Sequence, residues 1–153
     1  MGGSIFIAML AAVFLWWFST GAILLVVRIT ENFNFFTKLK VCIFSLPILV
    51  AGLFGIWKTS FNLTILDSYL AFGSALLVWG WIELTFLTGV ITGPNKSQCP
   101  KNITLFEKFI RAWGTLAYHE ISLLLGLGVV ILLGYAQGNQ FGIWTFTVLY
   151  FAR

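Results

Sequence analysis

Glu83, His119 and Glu120 are the side chains whose types could do chemistry, and each lies inside a long apolar run. A carboxylate and an imidazole can form a buried ion pair, pass a proton or ligate a metal ion. An ionisable group at membrane depth costs at least about 2.5–3.5 kcal/mol on insertion scales, so it ordinarily faces a bundle interior and has a partner. Glu83 precedes Gly93 by ten residues, and His119 and Glu120 follow Arg111 by eight and nine. At about 1.5 Å per helical residue all three lie roughly 12–15 Å from the loop joining their runs. Neighbouring helical residues point about 100° apart, so one of His119 and Glu120 should face Glu83 and the other a third helix. Thr85, Thr88, Thr115, Tyr118 and Ser122 bring hydroxyls to the same region.

Four readings of this constellation compete. The plainest is a hydrogen-bonded polar cluster that fixes helix pairing. The second is a pigment site, with His119 ligating a magnesium tetrapyrrole and Trp16, Trp17, Trp79 or Trp81 flanking the ring. The third is a metal centre of Glu83, His119 and Glu120 suited to iron, manganese or zinc, although the Glu-x-x-His spacing of di-iron bundles is missing. The fourth is a proton relay. Trp16 and Trp17 fall at mid-depth, whereas tryptophan prefers membrane interfaces, so packing against another helix is expected, with a flat ring ligand as the alternative. No phosphate-binding glycine loop, dinucleotide fingerprint or nucleophile elbow occurs in the sequence. The sequons at Asn62 and Asn102 read as chance.

The elements that must position these groups are membrane helices. The 153 residues are 59% hydrophobic and 9% charged, with a mean hydropathy of +0.97. A soluble domain carries about 25% charged residues. Apolar runs of about 18 residues or more recur, without the alternation of a membrane β-barrel. The expected fold is an all-α polytopic transmembrane bundle in a single membrane domain, 1–153. The expected spans are 5–27, 41–57 (with Pro47 kinking it), 68–91 and 115–135, with the start of a fifth at 141–153. The last stretch, about 13 residues, is too short to cross, so the sequence reads as a piece of a longer protein. The first run has no basic flank and is too long for a signal peptide. Residues 28–40 and 58–67 read as polar linkers, and Gly93-Pro94 as a helix stop. Thr104 and Glu107 form a capping box, so an amphipathic interfacial helix is expected over 105–114, running into the next span. Gly126, Gly128 and Gly134 are expected to admit close helix approach.

The net charge of +4 reports loop placement rather than nucleic-acid binding. Lysine and arginine number three in the first loop, one in the second, four in the third and none in the fourth. That alternation places the first and third loops in the cytoplasm and the N-terminus outside. Cys42 opens an apolar run and Cys99 sits in a polar loop, so no disulfide is expected between them.

The stretches Phe14-Leu-Trp-Trp-Phe-Ser-Thr-Gly-Ala-Ile-Leu, Tyr69-Leu-Ala-Phe, Leu77-Val-Trp-Gly-Trp-Ile-Glu-Leu-Thr-Phe-Leu-Thr-Gly-Val-Ile-Thr-Gly-Pro, Cys99-Pro, Tyr118-His-Glu and Asn139-Gln-Phe-Gly-Ile-Trp-Thr-Phe resemble the PuhE-type photosynthetic complex assembly proteins of phototrophic bacteria. The resemblance runs from end to end and is weakest at 29–40 and 58–67. It implies a multi-pass protein of the bacterial inner, photosynthetic intracytoplasmic membrane. It also implies partners among reaction-centre and light-harvesting transmembrane subunits and membrane lipids, and bacteriochlorophyll as the candidate cofactor. It carries over no catalytic residue. The expected role is assembly of the reaction centre and antenna by lateral helix contacts with bacteriochlorophyll handling. The alternatives are a stable accessory subunit binding pigment and lipid, and a membrane metalloenzyme using Glu83, His119 and Glu120.

Overall fold

Helix ends in this chain are set by capping groups and glycine rather than by where hydrophobicity runs out. The structure, a computed structural model, describes residues 2–93, 103–135 and 137–152. Among these it forms six helices and no strands: α1 Gly2–Thr30, α2 Phe35–Phe44, α3 Leu46–Thr59, α4 Ile65–Leu87, α5 Leu105–Gly134 and α6 Phe141–Ala152. Four stretches are long and apolar enough to cross a membrane: Ile5–Thr30, Phe35–Thr59 (α2 and α3 together), Ile65–Leu87 and Leu105–Gly134. The helix α6, with 12 residues, is shorter.

The first linker is much shorter than the expected 28–40. Arg28 to Thr30 complete α1, and α2 starts at Phe35, leaving only 31–34 outside helices. The backbone N–H groups of Thr37 and Lys38 both donate to the Asn34 carbonyl, which opens the α2 turn before hydrophobicity becomes continuous. Pro47 does not kink a continuous helix at 41–57. The helix ends at Phe44 and restarts at Leu46, with proline in the first turn of α3, where its missing N–H has no carbonyl to serve.

The second linker shrinks to 60–64 in the same way. Thr64 caps α4 by accepting from the Asp67 N–H at 3.0 Å, so the helix begins three residues before the expected 68. Its C-terminus also precedes the expected stop. Gly89 takes a φ of +80°, its N–H donates to the Phe86 carbonyl at 2.8 Å, and the Val90 N–H donates to the Thr85 carbonyl at 3.0 Å. These two bonds with a left-handed glycine form a Schellman stop, which ends α4 at Leu87 and turns the chain back. Pro94, Cys99, Asn102 and most of the expected polar loop lie outside the described residues. The capping box at Thr104 and Glu107 is present, and α5 runs unbroken from Leu105 through the expected interfacial and spanning segments.

The core sits on α4, which packs most extensively on α3 and also meets α1, α5 and α6. Its Ala75, Leu76, Val78, Trp79 and Ile82 are buried with Leu123 and Val130 of α5 and Phe146 and Leu149 of α6. Closest approach is between α3 and α4. A side chain at Gly55 would collide with the Ser74 hydroxyl, and one at Gly52 with Val78 and the Ser74 carbonyl. Gly126 and Gly134 of α5 admit Ile82 and Ile143, as their type suggests, but Gly128 faces open space. By contrast α1 is apolar all round and lies largely exposed, touching the bundle chiefly through α4. Its Ser19 and Thr20 hydroxyls donate back to the Trp16 carbonyl, which leaves neither in need of a partner in hydrocarbon.

Candidate functional site

Glu83 lies in the last two turns of α4, and His119 lies in the middle of α5. The two helices bring His119 Nε2 to 3.5 Å from Glu83 Oε1. That separation suits an ion pair and is too long for a good hydrogen bond. Indeed Glu83 Oε1 and His119 Nδ1 have no hydrogen-bond partner among the described residues. The His119 side chain is 3% exposed and that of Glu83 12%. Phe86, one turn beyond Glu83 on the same face of α4, stacks on the imidazole with centroids 4.0 Å apart and planes at 17°.

The backbone of His119 is also held. After the Schellman turn the chain returns toward α5, and the Thr92 carbonyl accepts from the N–H groups of Tyr118 and His119 at 3.0 and 3.1 Å. This approach requires a glycine at 93. A side chain on Gly93 would strike the Gly114 backbone. His119 is therefore held three times: by its contact with Glu83, by the Phe86 ring and by the Thr92 carbonyl.

Of the expected cluster, the structure brings together Glu83 and His119. Glu120, next along α5, is partly exposed. Among the described residues no group of three His, Cys, Asp or Glu side chains is disposed to hold a metal ion. The hydroxyls nearby serve their own helices. Thr85 donates to the Ile82 carbonyl, Thr88 to Leu84, Thr115 to Ala112 and Ser122 to Tyr118. Thr88 also meets the buried Cys42 thiol at 3.4 Å.

The four tryptophans do not form one ring-binding set. Trp16 of α1 and Trp79 of α4 line a cavity of about 210 Å³ together with Glu83, Leu87 and Leu149. Trp17 is 68% exposed on the outer face of α1. Trp81 donates from Nε1 to the Cys42 carbonyl at 3.3 Å, on the side of α4 that faces α2. Phe86 and Thr92, which hold His119, were missed in the sequence. Phe86 stood at the i+3 position from Glu83 and could have been found by that spacing. The approach of Thr92 had no local signal.

Outside the site, Glu107 stands in the exposed first turn of α5. That helix has 30 residues. At about 1.5 Å per residue it is roughly 45 Å long against a hydrocarbon core of about 30 Å, and its charged first turns, with Glu107, Lys108 and Arg111, are the part suited to lie beyond the core. The Glu107 carboxyl is held below its usual value, first by the backbone hydrogen bond from Thr104 and then by the Thr104 hydroxyl.

Fold and site together define a helical bundle with membrane-length helices and a buried acid–imidazole pair at its centre. The chain belongs to the family described as "Protein of unknown function (DUF3623)", which matches residues 3–153. It is 40% identical over 144 residues to a Rhodobacter capsulatus protein described as an uncharacterized 30.4 kDa protein in the puhA 5′ region, covering 94% of this chain and 53% of that protein. The chain thus spans about half the length of the curated relative it matches. No solved structure matches it.

Proposed function

We propose that this chain is an integral protein of the bacterial inner, photosynthetic intracytoplasmic membrane that assists assembly of the reaction centre with its light-harvesting antenna. The observation that carries the reading is the 40% identity, across nearly all of this chain, to the Rhodobacter capsulatus protein of the puhA 5′ region. That neighbourhood of photosynthesis genes agrees with the PuhE-type motifs of the sequence. The geometry supports action by lateral helix contact. Most of the described α1 residues are apolar and exposed, and an apolar groove of about 510 Å³ runs between α1, α3 and α4. Reaction-centre and antenna helices are the partners such surfaces would meet, with lipid filling them otherwise.

In this reading Glu83 and His119 are a buried pin that fixes α5 on α4. Phe86 covers one face of the imidazole and Glu83 faces its Nε2, which argues against His119 as a bacteriochlorophyll ligand. The test is an in-frame deletion with puhA transcript held at its normal level. Assembled reaction centre, read by near-infrared absorbance of isolated membranes, should fall several-fold and return on complementation. A tagged chain should copurify with reaction centre in traces. Normal reaction-centre levels in the deletion strain would overturn the proposal, and stoichiometric copurification would make the chain a permanent subunit instead.

A further inference from the structure

The N-terminal turns of α5 overhang α4. Gly126 of α5 faces Ile82 of α4, His119 faces Glu83, and the N–H groups of Tyr118 and His119 meet the Thr92 carbonyl beyond the end of α4. The order of these contacts makes the two helices antiparallel. Residues 105–113 therefore run on past Leu87, where α4 stops, and past the returning backbone at Gly93, which meets Gly114. Residues 115–134 already supply about 30 Å of helix, the thickness of a hydrocarbon core. The overhang is thus the part suited to the headgroup layer. Its Leu105, Phe106, Phe109, Ile110 and Trp113 are each more than half exposed. At 3.6 residues per turn they form one continuous stripe, with Glu107, Lys108 and Arg111 on the other side of the helix.

Positive charge gathers at the same end. Leu24 of α1 lines one cavity with Leu87, and Cys42 of α2 meets Thr88, so Arg28, Lys38 and Lys40 lie at the level where α4 ends. Among the described residues these three join Lys108 and Arg111 against Glu31 and Glu107, while the opposite end carries Lys58 and Asp67, which cancel. Glu107 turns its carboxylate back to the N–H and hydroxyl of Thr104. Lys108, exposed, and Arg111, half-buried, are three residues apart and share one face of the helix. An apolar stripe flanked by cations at headgroup depth fits a surface that is apolar below and anionic above. An apolar protein helix would match the stripe and make no use of the cations, whereas a negatively charged phospholipid matches both.

We propose that the first turns of α5 are a docking surface for anionic phospholipid, whose phosphate oxygens accept from Lys108 and Arg111 while the stripe from Leu105 to Trp113 lies against the glycerol and upper acyl carbons. Both cationic side chains are long enough to reach along the helix flank, with their methylene stems over apolar surface and their charged heads at the phosphate. Arg28, Lys38 and Lys40 add a longer-range attraction for the same leaflet. The surface goes beyond the assembly role and does not depend on it.

The test is native mass spectrometry of the purified full chain in detergent, with phosphatidylglycerol and phosphatidylcholine of identical acyl chains in competition. The chain should retain phosphatidylglycerol about tenfold better, as two cations at a lipid surface predict. Lys108→Gln combined with Arg111→Gln should remove most of that preference, and Lys38→Gln combined with Lys40→Gln should remove little of it. Excess inorganic phosphate should displace little lipid, because it brings nothing for the apolar stripe. In the parent chain, which needs no variant to fold, the preference should fall as ammonium acetate is raised. In native membranes, photoreactive benzoylphenylalanine in place of Phe109 should give lipid adducts. The proposal is overturned if the two lipids are retained equally, if the folded double variant at Lys108 and Arg111 keeps the preference, or if salt leaves it unchanged. It is equally overturned if inorganic phosphate displaces the lipid as well as phosphatidylglycerol does, or if the photoreactive group captures mainly protein, which would give this face a protein partner instead.

Discussion

Glu83 Oε1 and His119 Nε2 stand 3.5 Å apart at the junction of α4 and α5, with Phe86 laid flat against the imidazole. Neither side chain would be cheap to bury alone, and each explains the presence of the other. Their contact is also where the membrane-length α5 meets the helix that carries the core.

The pair should behave as one unit. Glu83→Gln keeps the shape and removes the charge, and His119→Ala removes the partner and leaves a void beside Phe86. In thermal unfolding of the detergent-solubilised chain, the double variant should be no less stable than the worse single one, because contacting residues are non-additive. Independent, additive losses would show that the two side chains do not depend on each other.

Gly55 should tolerate no side chain. Its Cβ would collide with the Ser74 hydroxyl at the tightest part of the α3–α4 contact. Gly55→Ala should cost about 1–3 kcal/mol, the usual range for overpacking. Adding Ser74→Ala should recover part of the loss, since it removes the struck oxygen. Equal stability of Gly55→Ala and the parent in urea titration would mean that α3 sits further from α4.

The cap of α5 should be local and acid-sensitive. Thr104→Ala removes a side-chain acceptor for the Glu107 N–H and should cost about 1 kcal/mol, seen as faster hydrogen exchange in the first turn of α5. The Glu107 carboxyl titrates below its unfolded value. Its contribution is therefore fully present above the ordinary carboxylate range and disappears as pH falls through the lowered folded value. Protection factors in this turn, corrected for the intrinsic exchange rate at each pH, should fall on acidification in the parent protein and much less in Glu107→Gln.

Loop charge should set orientation. Reporter fusions after Asn34 and after Lys101 should read cytoplasmic, and a fusion after Asn62 should read periplasmic, because Arg28, Lys38 and Lys40 flank the first turn and four lysines and arginines lie between Lys96 and Arg111. The opposite pattern would show that loop charge does not orient this chain.

Asn139 should act as a latch between the α3–α4 turn and the α5–α6 turn. Its side chain donates to the Asn62 carbonyl at 3.2 Å and accepts from the Phe141 N–H at 3.0 Å, while its own N–H donates to the Ser60 carbonyl at 2.9 Å. Asn139→Ala strands two backbone groups and should cost about 1–3 kcal/mol. Protease nicking at 135–141 should rise with it, and unchanged nicking would mean that the turn is held by α5 and α6 alone.

The sequence by itself determined that this chain is a bundle of membrane-length helices, because that follows from hydropathy and length alone. It also determined the start of α5, since Thr104 and Glu107 carry their capping chemistry within four residues. The equal depth of Glu83 and His119 was readable too, as depth along a helix is residue count times rise. Rotation about the helix axis was not. Which of His119 and Glu120 meets Glu83, and which tryptophans share a cavity with it, depend on how α1, α5 and α6 are turned against α4. Nothing local fixes that turn in helices whose membrane-depth residues are almost all apolar. It is decided by close contacts between distant residues: Gly55 on Ser74, Gly93 on Gly114, and the Thr92 carbonyl on the N–H groups of Tyr118 and His119. The tertiary structure likewise moved the end of α4 to Leu87, because the left-handed turn at Gly89 lets the chain fold back onto α5 four residues before the glycine that the sequence marks as a stop.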